Sequence, residues 1–430
     1  MNILMMTNTF TPHVGGVARS VQSFSEAFRQ RGHRVLVVAP TFEGSLQDDP
    51  EVIRFPAWQH FCQSDFSVPV PVPGRLIMAL RDFSPDIVHS HHPFLLGATA
   101  LRIAALRGLP VVFTHHTMYE RYTHYLPLDS ARLRRFAVEL AAGYCNLCDS
   151  IVAPSATVAD NLRQRGVKVP IRVIPTGIDL RQFANPDGRA FRSRLSIPAD
   201  ALLLGYLGRL SPEKNLSFLT SAVVRFLQQR PGARFLLAGE GPDRQMVLDA
   251  FAAAGLSNRI YPVGVLDRSV LADAYRAMDV FVFASQSETQ GMVMAEAMAA
   301  GTPVVAVDAP GVRDIVRDGE NGRLLPEEDA EAFVAALDWL VDLPAAARQR
   351  LEQGVAQTAR QFSMDRSAEA MLDLYDELIR TEPCQHKNNG PWTAARQRIE
   401  EEWKILHNIG QALGEALRSP QSTPPGGNQG

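Results

Sequence analysis

The chain's 430 residues exceed one ordinary core and suit two domains of Rossmann size, and a content of 46% hydrophobic and 21% charged residues excludes disorder, collagen and coiled-coil rods. Lys plus Arg number 43 against 46 for Asp plus Glu, and this net charge of −3 speaks against a dedicated nucleic-acid binder. Four cysteines are too few for a disulfide framework and fit a reducing cytosol.

The first residues, MNILMMTNTF, carry no basic cluster and no long apolar run, so they read as a first strand rather than a leader peptide. No stretch of about 18 uncharged apolar residues predicts a membrane span. Short apolar runs predict strands at 3–6, 35–38, 87–89, 111–114, 151–153 and 172–174, with helices between them, for example at 17–31 and 130–148. After about residue 180 the pattern restarts, with strands at 202–207, 234–238, 259–262, 280–284 and 303–307. Strand–helix alternation argues a parallel sheet with helices on both faces, and its repetition argues two such domains. The join is PTGIDLRQFANPDG, dense in Pro, Gly, Asn and Asp. The expected organisation is an α/β chain with one Rossmann-like domain over 1–178 and a second over 179–362. A helix over 363–381 returns to the first domain, a helical extension follows over 382–418, and the tail 419–430 is disordered.

Ligands of such sheets bind at the carboxyl ends of strands, so the loops there are the candidates. Gly15 and Gly16 follow the first strand and open a helix, where bare backbone N–H groups can approach an anion; a plain tight turn would look the same. YLGRLSPEKN follows the strand at 202–207. Ser211 reads as an N-cap and Pro212 as the first helical residue, which puts Lys214 in the first helical turn. A cation there opposes the helix dipole by roughly 0.3–1 kcal/mol unless an anion sits beside it, and Arg209 on the same loop could grip that anion. In SETQGMVMAE, Gly291 permits close approach to a helix start, and Glu288 and Glu296 stand eight positions apart. The two carboxylates can bracket a sugar nucleotide. Glu296 lies inside an apolar helical run and is costly to bury without a partner. Gly241 in GEGP and Val265 in VGV end strands where backbone groups could hold a base or ribose, although ordinary turns look alike.

Nine of the 11 histidines precede residue 125. Those at 89, 91, 92, 115, 116 and 124 read as the lining of a polar cleft rather than a metal site. Cys145 and Cys148 have no partner pair and read as small buried side chains. The chain holds no Asp-x-Asp, the short carboxylate pair that often carries a metal on a sugar diphosphate.

Taken together, the eight-spaced glutamates, Arg209 and Lys214 upstream, the glycine loop, PTGID and GEGP resemble the retaining GT-B glycosyltransferases of family 4 over roughly residues 1–380. The resemblance implies two Rossmann-like domains facing a central cleft and a nucleotide-sugar donor. Arg209 and Lys214 would clamp the diphosphate. The turn from Glu288 through Thr289, Gln290, Gly291 and Met292 would meet sugar and phosphate, and Glu296 would hold the ribose. Gly16 would close on the diphosphate, and His116 would face the transferred sugar, with His115 as the alternative. It implies transfer with retention and without a metal, the departing phosphate taking the acceptor's proton. THHTMYERYTHY resembles the acceptor segment of bacterial diacylglycerol glucosyltransferases, which names Tyr119, Glu120, Tyr122, His124 and Tyr125 as acceptor residues and UDP-glucose as the donor. The rival readings are a family-4 transferase with a soluble or polysaccharide acceptor, a sugar-nucleotide epimerase or hydrolase, and a non-catalytic sugar-nucleotide binding module.

Two segments bear on membranes. Residues 131–147 place Leu133, Phe136, Leu140 and Tyr144 on one helical stripe beside Arg132, Arg134 and Arg135, the pattern of a basic amphipathic helix on an anionic inner leaflet. Packing on the first domain's sheet gives the same spacing. The expected location is cytoplasmic and peripheral on the inner face of the cell membrane. In the extension, Ile399, Trp403, Leu406, Gly410, Leu413 and Leu417 form a heptad-like seam open to docking on its own domains, pairing with another chain or touching lipid.

Overall fold

A computed structural model describes residues 1–13, 15–42, 50–58, 68–69, 73–117, 130–286, 288–381 and 391–417. The first half holds strands β1 (Asn2–Met6), β2 (Arg34–Pro40), β3 (Val52–Phe55), β4 (Ala57–Trp58), β5 (Val68–Pro69), β6 (Ile87–Ser90), β7 (Val111–Thr114), β8 (Ser150–Ala153) and β9 (Ile171–Val173). Its helices are α1 (Gly16–Gln30), α2 (Pro73–Asp82), α3 (Leu96–Arg107), α4 (Ala131–Cys145) and α5 (Ala156–Gln164). Seven strands form a parallel sheet in the order β3-β2-β1-β6-β7-β8-β9, and β4 and β5 make a small antiparallel pair.

The second half holds β10 (Leu202–Leu207), β11 (Ala233–Ala238), β12 (Ile260–Gly264), β13 (Val280–Phe283), β14 (Val304–Val307) and β15 (Gly322–Leu325). They form a second parallel sheet in the order β12-β11-β10-β13-β14-β15. Around it lie α6 (Gly188–Arg194), α7 (Leu216–Gln229), α8 (Arg244–Ala253), α9 (Arg268–Ala277), α10 (Met292–Ala299), α11 (Ala330–Val341) and α12 (Ala345–Gln361). Central strands such as Val111–Thr114 and Val280–Phe283 are buried at every position, as sheets covered on both faces require. The chain is therefore an α/β protein of two doubly wound domains. Two strands absent from the sequence reading, β3 and β15, are edge strands interrupted by Arg54 and Arg323, which hides their apolar pattern.

The domains are joined twice, side by side. Ile178 N–H donates to the Phe362 carbonyl and Met364 N–H to the Ile178 carbonyl, both at 2.8 Å. A Cβ on Gly177 would lie 2.3 Å from Met364 Cα, so the two crossings touch backbone to backbone. Beyond the second crossing, α13 (Met364–Thr381) buries Met364, Ala368, Met371, Leu374 and Tyr375 in the first domain's core, beside Phe24 and Phe28 of α1. A last helix, α14 (Pro391–Leu417), packs on α3 and α4. Among the described residues no helix is long and apolar enough to cross a membrane.

Candidate active site

Strand order decides where loops converge. In the second sheet β10 lies between β11 and β13, so the chain leaves β10 and β13 toward opposite sides of one switch point. After β10 the backbone at 208–210 lies against the loop at 239–243: Leu210 N–H donates to the Glu240 carbonyl and Asp243 N–H to the Leu210 carbonyl, each at 3.0 Å. A Cβ on Gly241 (φ +154°) would sit 2.2 Å from the Leu210 oxygen. The GEGP glycine is thus required by packing between two site loops. Val265, just past β12, is 70% exposed at the same end of the sheet.

Lys214 ends a short 3₁₀ turn (Pro212–Lys214) that Ser211 precedes. The α-helix proper starts only at Leu216, after Asn215 in the left-handed region (φ 53°). Lys214 therefore lies before α7 rather than in its first turn, because the 3₁₀ turn and the left-handed Asn215 end the first coil of backbone early. The Ser211 hydroxyl bonds Glu213 Oε1 at 2.6 Å instead of capping backbone. Lys214 Nζ donates to Glu288 Oε2 at 3.0 Å, with about a fifth of each side chain exposed. Arg209 is exposed on the same loop.

The loop after β13 is held from both ends. Glu288 Oε1 accepts from Gly291 N–H at 3.3 Å, and Gly291 (φ +77°) opens α10. A Cβ on Gly311 (φ +78°) would lie 2.7 Å from both Gln290 N and Thr289 C, so a second glycine backs the turn. The buried Gln290 amide pairs twice with Thr176: its Oε1 accepts from Thr176 N–H at 2.9 Å and its Nε2 donates to the Thr176 carbonyl at 2.6 Å. Thr176 Oγ1 in turn lies 2.8 Å from Ser20 Oγ of α1. The Gln290 side chain ties the turn to the domain junction, so its backbone is what remains to meet a ligand. Thr289 and Met292 are half-buried beside it.

Glu296 is 1% exposed, and the partner its burial demands comes from the other domain. Arg19 Nη2 of α1 lies 2.7 Å from its Oε1, and the Tyr275 hydroxyl donates to its Oε2 at 3.0 Å. Burial raises the Glu296 carboxyl above its ordinary range, while Arg19 and the Tyr275 hydrogen bond pull it back. Arg19 stands three residues after Gly16, so α1's N-terminus and α10 are brought to one place. Among the described residues a Cβ on Gly16 would meet nothing within 4 Å, and its backbone is not left-handed. The fold itself makes no demand for glycine there.

The first sheet has its own switch point between β1 and β6. It is lined by buried histidines. The His91 and His116 rings are stacked, with His91 Nδ1 2.9 Å from His116 Nε2. His89 Nε2 meets Thr114 Oγ1 at 2.7 Å, and its Nδ1 meets the Tyr375 hydroxyl of α13. His92 Nδ1 accepts from Asn8 N–H at 3.0 Å. Burial lowers His89 and His92 to about 3 and holds His91 and His116 well below 6.5. All four are neutral near pH 7. His115 is buried behind them, and His116 is half-buried. Among the described residues no three His, Cys, Asp or Glu side chains gather as a metal site. Cys145 and Cys148 are buried thiols, the first pushed up to about 12 by desolvation. Tyr119, Glu120, Tyr122, His124 and Tyr125 lie outside the described residues.

Arg19, Tyr275, Thr176 and Gly311 escaped the sequence reading. Arg19 had one usable signal, its place one turn beyond a glycine pair; the others enter through tertiary contacts that no local pattern marks. The membrane stripe of 131–147 is largely spent on packing. Tyr144 is in the core, its hydroxyl 2.8 Å from Ser90 Oγ, and Leu133, Phe136 and Leu140 are half-buried, while Arg132 and Arg134 stay exposed.

Two family models match the chain: Glycosyltransferase Family 4 over residues 14–182 and Glycosyl transferases group 1 over residues 187–358. An alpha-monoglucosyldiacylglycerol synthase of Streptococcus pneumoniae is 30% identical over 379 residues, covering 87% of this chain and 86% of that protein. A GDP-mannose-dependent alpha-mannosyltransferase of Mycobacterium tuberculosis is 32% identical over 342 residues, covering 77% and 85%. Among solved structures, a sucrose-phosphate synthase from Thermosynechococcus elongatus superposes with a TM-score of 0.71 at 23% identity, covering 88% of this chain and 99% of that one.

Proposed function

Because the chain belongs to glycosyltransferase family 4 and has the GT-B architecture, we propose that it transfers a hexose, glucose in the first instance, from a UDP-sugar to a diacylglycerol-type membrane lipid with retention of anomeric configuration. The observation that carries the choice of acceptor and sugar is the match, over 87% of the chain, to a protein named alpha-monoglucosyldiacylglycerol synthase. In this reading the donor diphosphate lies at the switch point of the second sheet, against Arg209 and Lys214. Glu288 holds Lys214 in position through its 3.0 Å contact. The backbone of 288–292 and the N-terminus of α10 face the sugar and phosphate, and Glu296 receives the ribose hydroxyls, displacing or sharing the Arg19 guanidinium. Open space at Gly16 admits the diphosphate to the N-terminus of α1. Neutral His116 offers a hydrogen bond to the transferred sugar.

The bond from the anomeric carbon to the donor phosphate breaks, and a bond from that carbon to the acceptor oxygen forms on the same face. The acceptor's proton passes to the departing phosphate. Arg209, Lys214 and two helix N-termini stabilise the charge developing on that phosphate without calling on a metal. Closure of the two domains excludes water from the reaction. The enzyme works on a membrane surface, as a peripheral protein.

The GDP-mannose-dependent relative favours a second reading, a different nucleotide sugar with another acceptor. Purified protein offered UDP-glucose, UDP-galactose, UDP-glucuronate or GDP-mannose, each with dioleoylglycerol in anionic vesicles and EDTA, distinguishes the two. Glucosyldiacylglycerol as the product supports the first reading. Turnover of GDP-mannose alone replaces it with the second, and nucleotide release without acceptor points to a hydrolase.

A further inference from the structure

The α14 helix presents two distinct stripes. The inner one, Glu401, Ile405, Asn408, Ala412 and Ala416, is buried against α3 and α4. Its register is fixed by specific contacts: Asn408 Nδ2 donates to the Leu140 carbonyl at 3.2 Å, Arg135 Nη1 to the Glu415 carbonyl at 3.4 Å, and Arg102 grips Glu402 with both Nε and Nη2. A Cβ on Gly143 would collide with Asn408, so the helices lie close. Among the described side chains, the heptad-like seam, which spacing left open to its own domains, another chain or lipid, does not make this contact. Trp403, Leu406 and Leu413 point away from the domain at 70%, 60% and 49% exposure, joined by Ile409. Apart from Ile405, the side chains that dock are polar or small, and the other large apolar ones are left facing water.

A contiguous exposed apolar stripe marks a binding surface. Its surroundings favour lipid over protein. The C-terminal end of α14 meets Arg135, and the first turn of α4 there also carries exposed Arg132 and Arg134. Near the other end, Trp403 is of the type that settles at a membrane–water boundary, and Lys404 beside it has a stem long enough to reach headgroups. Of the acidic neighbours, Glu402 pairs with Arg102 and Glu401 is buried with its Oε2 at Lys404, while Glu400 is exposed. In sequence, α4 begins six residues after the end of the segment read as acceptor-binding, 119–125.

We propose that this outward stripe of α14, with Arg132 and Arg134 at its edge, is the face by which the protein lies on an anionic bilayer. The choice of a bilayer over a second copy of the chain rests on the lipid-acceptor reading. Full-length protein is tested by co-sedimentation with vesicles of equal parts phosphatidylglycerol and phosphatidylcholine. Trp403→Ser with Leu406→Ser and Leu413→Ser should weaken binding about ten-fold or more, and Arg132→Glu with Arg134→Glu should weaken it several-fold. Both variants should keep turnover on water-dispersed dioctanoylglycerol. In the unaltered protein, brominated phosphatidylcholine should quench emission that Trp403→Phe removes. Unchanged binding by the stripe variant, or quenching indifferent to Trp403, overturns the proposal. A dimer of the unaltered protein that the stripe variant dissolves, with vesicle binding intact, overturns it in favour of a second copy. Stripe-dependent vesicle binding without glycolipid from any diacylglycerol upholds the docking face while dismissing the acceptor reading.

Discussion

At the switch point of the second sheet the polar side chains are charged and paired across short gaps, Lys214 with Glu288 and Arg19 with Glu296. At the switch point of the first sheet they are histidines, packed ring against ring, largely buried and neutral. The same loop-to-helix geometry thus supports two kinds of surface. A charged cradle with glycines packed behind it suits a diphosphate, whose charge needs fixed counter-charges. A neutral ring suits hydroxyl groups, where a full charge would only cost desolvation.

The sharpest break comes from removing charge on one side alone. Lys214→Ala and Glu296→Ala should each lower transfer by about 10²-fold or more while far-UV circular dichroism stays unchanged. Near-normal turnover in both would dissolve the distinction.

The histidines test the other side through pH. Their depressed values mean that the native state holds them neutral while the unfolded chain takes up protons below about 6.5. The stability they contribute is complete above that pH and is lost as pH falls below it, towards 3 for His89 and His92, by up to about 1.4 kcal/mol per pH unit for each histidine. Glu296 runs in the opposite sense: its raised value penalises the ionised native form, and the penalty is relieved on acidification. One carboxyl against four imidazoles leaves a net loss in acid. Urea unfolding at pH 7, 5.5 and 4.5 should show it for the unaltered protein, and His89→Asn should flatten the slope; equal slopes would contradict neutral burial.

A smaller effect separates two kinds of glycine. Gly311→Ala forces a left-handed residue into Thr289 and Gln290 and should cost about 1–3 kcal/mol. Gly16→Ala meets nothing among the described residues and should leave the melting temperature unchanged or slightly raised, yet slow transfer by narrowing the approach to α1. Equal destabilisation by both would remove the argument that Gly16 serves a ligand.

Much of this was legible in the sequence because it is local. The continuous apolar runs of β1, β7, β10 and β13 mark themselves, as does the glycine that opens α10. The Glu296 carboxyl announced the need for a partner by lying in an apolar helix. It could not name Arg19, which is 277 positions away and meets it only when the two domains come together. The α14 seam shows the limit of periodicity. Spacing identifies an apolar stripe but not what it faces, and here the buried face is the one with Glu401 and Asn408. Lys214 shows the same limit on a smaller scale, since a 3₁₀ turn and an α-helix share the signature of Ser followed by Pro.

The most direct test of the division between the two switch points is calorimetric titration of UDP into three proteins. Lys214→Ala should bind UDP at least about ten-fold more weakly than the unaltered chain, as loss of a charge-assisted contact implies. His116→Ala should bind it normally while losing transfer. Full UDP affinity in Lys214→Ala together with lost affinity in His116→Ala would move the nucleotide to the first domain and contradict the account.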